Sequence, residues 1–189
     1  MKGFWALSVI SICLLGAMFN PFAQAAMPYD KGQKLMFAAA GSYDGIDENK
    51  AVDIHHLSVG AAYYLTGGLG VYGEALAIVT RGMRDGTETD TEGIGAFFSL
   101  RWHFIRTARW SLYLNHGIGP VWFIEEFPPG GTKLNALTQY SLGMSTRIGD
   151  SSILNLGLRH SHISNGKGMV AENPAFDGTG IYLEIAKPF

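Results

Sequence analysis

Cysteine is nearly missing from this chain. Cys13 is the only one in 189 residues, and it sits in an apolar leader rather than in the body of the sequence. Disulfides and thiol chemistry are thereby excluded from everything after that leader. Charge is also sparse, with 16% Asp, Glu, Lys and Arg and a formal net charge of −2. No basic footprint for nucleic acid is present. Beyond the leader, no apolar run approaches the ~20 residues that a membrane-spanning helix requires. If the chain enters a membrane, it does so as strands.

The leader has the make-up of an export signal. Lys2 gives it a positive start, Phe4 to Phe19 is mostly apolar, and Ala23-Gln24-Ala25 forms a small-residue cleavage site. Residues 1–25 are expected to be a signal peptide that is removed, leaving a single mature domain over 26–189.

The mature chain is filled by alternation of period two. Eight segments carry it: Gln33–Tyr43, Ile54–Leu65, Leu69–Thr80, Gly93–Ile105, Arg109–Phe123, Leu134–Ile148, Ser152–Ser164 and Gly178–Phe189. Each is close to the ~9–11 residues of a transmembrane strand. One face is apolar, as in Ile94, Phe98, Leu100, Trp102 and Phe104. The other carries Glu74, Arg101, Arg147, Arg159 and Glu184. Such charges are costly in a soluble core unless paired, whereas inside a narrow barrel they neutralise one another while the apolar face meets lipid.

Connections after the second, fourth and sixth segments are short, at Thr66-Gly67-Gly68, Arg106-Thr107-Ala108 and Gly149-Asp150-Ser151. The others, such as Asp44–Asp53 and Arg81–Glu92, are longer and more polar. This alternation, with an even strand number, predicts an all-β fold, an eight-stranded antiparallel transmembrane β-barrel of the outer membrane. Short turns and both termini then face the periplasm. Tyr63, Trp102, Phe104, Trp110 and Phe189 form an aromatic girdle at that end. A barrel of eight strands is filled by its own side chains, so function belongs to its surface or loops.

The seventh segment holds the chemistry. Leu154, Leu156, Leu158, His160, His162 and Ser164 share one parity and so one face, turned to lipid, with the polar members at the outer end. His162 is within reach of Ser164, an imidazole base beside a hydroxyl nucleophile. Such a base needs an acid to fix its tautomer. His160, one step deeper, reads as packing or as support. His55-His56 has no acidic or cysteine cluster beside it, and the acidic run Asp85–Asp90 reads as solvated, so no metal is expected.

These residues resemble the outer-membrane lipid A 3-O-deacylases, eight-stranded barrels with a His-x-Ser-Asn motif in the last hairpin. His162-Ile163-Ser164-Asn165 matches that motif, and Asn173-Pro174-Ala175-Phe176-Asp177 is similar to the acidic stretch that follows it. The resemblance implies Ser164 as nucleophile, His162 as general base and Asp177 as the acid that orients it. It implies Asn165 as an oxyanion donor and Asn173 as a pocket residue. Two departures stand out: Asp177 replaces the Glu of the best-known members, and Ala175 replaces a Gly. Glu184 is the competing acid, but its parity points into the barrel. The implied activity is hydrolysis of an ester-linked acyl chain of lipid A or lipopolysaccharide within the outer membrane, without cofactor. Oligomeric state is left open. An acyltransferase or phospholipase on the same architecture, or a non-catalytic barrel, are the alternative readings.

Overall fold

The computed structural model describes residues 27–149, 151–165 and 174–189. The expected signal peptide, Ala26, Asp150 and Asn173 lie outside the described residues. Eight long strands make the structure: β1 (Lys34–Gly45), β2 (Val52–Thr66), β3 (Leu69–Arg84), β5 (Thr91–Arg106), β6 (Trp110–Phe127), β7 (Thr132–Ile148), β8 (Ser152–Ser164) and β9 (Ala175–Pro188). A two-residue strand, β4 (Thr87–Glu88), and a short 3₁₀ turn, η1 (Asp47–Asn49), lie among the outer connections. Each long strand runs antiparallel to both neighbours, and β1 pairs with β2 on one side and β9 on the other. The sheet is a closed barrel, and no long strand leaves an unpaired edge.

The register fixes the barrel's geometry. From Leu35 the cross-strand partners run through Ala62, Tyr72, Ser99, Gly117, Gln139, Ser161 and Gly178. Gly178 then pairs with Gly45 on β1, ten residues beyond the start. A stagger of that size tilts the strands by roughly 35–45°. Rows of cross-strand neighbours therefore spiral around the wall, and a row descends toward the periplasmic end as it passes from β1 through β9 to β6.

Alternation places side chains as the sequence reading expects. Ile94, Phe98, Leu100 and Trp102 are exposed on the outer wall, while Ser99, Arg101 and His103 are buried. Two apolar clusters fill the ends of the interior. One includes Tyr43, Ile54, Phe97, Phe123 and Phe176 near the outer end; the other includes Met27, Tyr29, Leu35 and Tyr64 near the periplasmic end. A polar layer separates them. Arg101 donates Nη1–H and Nη2–H to the two carboxylate oxygens of Glu184 at 2.8 and 2.6 Å, and Asn155 donates to the same carboxylate at 2.7 Å. Arg159 donates to Ser141 at 2.9 Å and to Gln139 at 3.1 Å, with its guanidinium over the Tyr182 ring. The interior cavity beside Tyr43, His56 and Glu74 measures about 10 Å³, room for one water at most. The lumen is packed.

The outer connections differ from expectation. Strands β3, β5, β6 and β9 reach farther out than the alternating segments do, and much of the long Arg81–Glu92 excursion is hairpin. Asp85-Gly86 forms its turn with both residues at positive φ, the backbone that Asp-Gly supplies at small cost. Arg84 pairs with Thr87 and Met83 with Glu88. Ladder pairing continues where the apolar pattern stops, because backbone hydrogen bonds do not need a lipid-facing side chain.

Candidate active site

Strands β8 and β9 bring the site together at the outer end of the wall. The register sets His162 directly opposite Asp177 and Ser164 opposite Ala175. His162 and Ser164 are two residues apart on one strand, so their side chains leave the same face. His162 Nδ1 lies 3.0 Å from Asp177 Oδ1, and His162 Nε2 lies 3.0 Å from Ser164 Oγ. With Nδ1–H donating to the carboxylate, Nε2 carries the lone pair that accepts the serine O–H. Hydroxyl, imidazole and carboxylate thus form one hydrogen-bonded chain. The His162 and Asp177 side chains are part-exposed on the outside, at 38% and 37%. Ser164 is only 9% exposed.

The strand that carries Asp177 is held from the other side. Ile46 N–H donates to the Asp177 carbonyl at 2.9 Å. Arg84 donates to the Ala175 carbonyl at 2.7 Å, and Asn49 reaches the same oxygen at 3.4 Å. The start of β9 is therefore pinned by residues before β2 and at the end of β3, which fixes the carboxylate relative to the barrel.

Glu184, the competing acid, faces inward at 2% exposure and is bound to Arg101 and Asn155. The wall separates it from Ser164. Asn165 follows the serine and is 4% exposed; neither its side-chain N nor its O has a partner among the described residues. It borders an apolar outer-wall groove of about 450 Å³, formed with Phe98, Ile118, Pro120, Leu134 and Ala136. No group of three side chains able to hold a metal occurs among the described residues.

Two features go beyond the sequence reading, which takes His160 as packing or support and does not single out His116. His160 Nε2 lies 3.4 Å from Asp177 Oδ1, and its Nδ1 lies 3.4 Å from Thr179 Oγ1. Same-face parity was visible in the sequence, but the span 166–173 hides the register that puts the carboxylate between the two imidazoles. The second is His116, which is outward on β6 and stacked on Tyr140 with ring centroids 4.3 Å apart. Thr179, His160, Tyr140 and His116 are successive cross-strand partners. They make a polar row on a lipid-facing wall, and Ile181, Leu158, Leu142 and Leu114 form the next row beneath it. Counting parity through β6 would have found His116.

A closed, side-chain-filled barrel with an apolar outer wall is an outer-membrane β-barrel, and the hydroxyl–imidazole–carboxylate chain on that wall sets it beside the hydrolases of this class. The family model described as lipid A 3-O-deacylase (PagL) matches residues 58–186, and the chain belongs to that family. Its membership makes it an outer-membrane hydrolase of the lipid A deacylase kind. Solved structures agree on the fold. The outer membrane enzyme PagL superposes with a TM-score of 0.60 at 14% identity, covering 78% of this chain and 97% of its own. Neisserial surface protein A gives 0.61 at 14%, covering 84% and 98%. OprG from Pseudomonas aeruginosa gives 0.54 at 13%, covering 85% and 97%. Among curated proteins, no sequence matches.

Proposed function

We propose that this protein is a serine esterase that removes the acyl chain ester-linked at the 3 position of lipid A. The observation that carries the reading is His162, bonded through one nitrogen to Asp177 and through the other to Ser164, on the lipid side of the barrel. Ser164 Oγ attacks the ester carbonyl as His162 Nε2 takes its proton. The tetrahedral intermediate collapses when His162 returns that proton to the leaving sugar oxygen, which leaves an acyl-serine. Water, deprotonated by His162, then attacks the acyl-serine and releases the free fatty acid. Asp177 fixes the tautomer and stabilises the imidazolium in both halves. Asn165, with an unengaged carboxamide beside the serine, is the donor assigned to the oxyanion. Substrate arrives by lateral diffusion in the outer leaflet, and the groove at Phe98 and Leu134 takes an acyl chain. The partner is thus lipopolysaccharide itself, and water is the only co-reactant.

Ser164→Ala in outer membranes is the test, with lipid A read by mass spectrometry. Loss of a single acyl chain in wild type and its retention in the variant are expected, with the rate falling by about 10⁴-fold or more. Continued deacylation by a folded Ser164→Ala barrel would refute the nucleophile. An acyl group moved to a second lipid, or lost from phospholipid instead, would refute the lipid A esterase reading.

A further inference from the structure

We propose that His160 is a positioning residue of this site, a second imidazole that keeps the Asp177 carboxylate aimed at His162. The inference rests on the esterase reading above and adds a member to it. One oxygen, Asp177 Oδ1, lies 3.0 Å from His162 Nδ1 and 3.4 Å from His160 Nε2. His160 therefore approaches the acid from the membrane side while His162 approaches from the serine side. Thr179, one strand over, accommodates the tautomer this requires. When its hydroxyl donates to His160 Nδ1, at 3.4 Å, the ring's remaining proton is on Nε2, the nitrogen that lies 3.4 Å from the carboxylate.

The physical need is specific to this location. A carboxylate at a lipid boundary loses part of the water that would otherwise hold it in one orientation. A lone donor from His162 would also leave Asp177 free to turn away when His162 becomes an imidazolium and moves between serine and leaving group. A second imidazole 3.4 Å from the same oxygen limits that turn. His160 in turn has Tyr140 as its cross-strand partner, and Tyr140 is stacked on His116. The imidazole thus stands in a polar row rather than alone among acyl chains. His160 does not contact Ser164, so it acts through Asp177.

Purified protein, refolded in detergent and assayed for kcat and KM on lipid A, tests this with a double-mutant cycle. His160→Phe keeps the ring size and removes the donor. It is expected to lower kcat about tenfold with KM unchanged, as loss of a polar contact that aims the carboxylate would. His160→Gln keeps an N–H and is expected to restore kcat to within about threefold of wild type. In an Asp177→Asn background, His160→Phe is expected to add nothing. Equal losses in both backgrounds, an unchanged kcat, or a change confined to KM would each overturn the proposal. Should His160→Phe fail to fold, Thr179→Val probes the same link and must lower kcat as well. A parallel Ser164→Ala control separates the two failures: activity there refutes the esterase reading, whereas its loss leaves the His160 cycle to decide.

Discussion

Asp177 and Glu184 lie seven positions apart on one strand, and opposite parity gives them unrelated environments. Asp177→Asn is expected to leave the barrel intact and to lower kcat by about 10⁴-fold, since an amide supports the wrong tautomer of the imidazole. Glu184→Gln is expected to do the reverse. It strips the buried Arg101 of its counter-charge, which destabilises by about 3–5 kcal/mol, while kcat of the folded fraction stays near wild type. Urea unfolding in detergent micelles, run beside the lipid A assay, separates the two. Asn165→Ala should lower kcat about 10²–10³-fold if its carboxamide meets the oxyanion, with KM little changed. At this scale the sequence was informative wherever parity alone decides. His162 with Ser164 could be read from two-residue spacing, and Glu184 could be turned inward by the same count. For Asp177 the same count gave the face, that of Ile181 and Leu183, but not the neighbour, because that depends on how β9 registers against β8, and no local pattern encodes a register across a long connection.

At the scale of the strand, alternation located all eight long elements to within a few residues. Their outer ends were the exception. Past the membrane boundary the outward side chains become polar and the pattern fades, while the hydrogen-bonded ladder goes on. Asp85-Gly86 was the one signal that an apparent loop was a hairpin. Strand β9 shows a further constraint that hydrophobicity does not reveal. A Cβ at Gly180 would lie 1.8 Å from the Ser42 carbonyl oxygen, so β9 seats against β1 only with glycine there. Gly180→Ala is expected to cost about 1–3 kcal/mol through the forced backbone shift. A larger share of unfolded, slow-migrating protein on unheated gels would report it.

For the whole molecule, the apolar wall is the solvent contact that stabilises the barrel in lipid. Leu142 and Leu158 are more than half exposed on it, in the row beneath the polar one. Leu142→Arg is expected to destabilise by about 2–4 kcal/mol if that row sits near the bilayer midplane, measurable by equilibrium unfolding from vesicles. The same change at Leu134, close to the outer rim, should cost about 0–1 kcal/mol. The tilt that spreads these rows over different depths was not legible in the sequence. Stagger is a property of the closed ring, and it appears only when the register is followed from Leu35 round to Gly45.

Asp177 is carried by β9, and β9 is also the strand that seals the cylinder. Ser164 and His162 are on β8, but their partner arrives with the final hairpin, and the Ile46 bond to the Asp177 carbonyl forms only when that hairpin meets β1. The β8–β9 pairing alone sets Asp177 against His162, whereas the bonds that pin the start of β9 come from Ile46, Asn49 and Arg84 across the closing seam. The seam that closes the ring is therefore also the one that steadies the wall at Asp177.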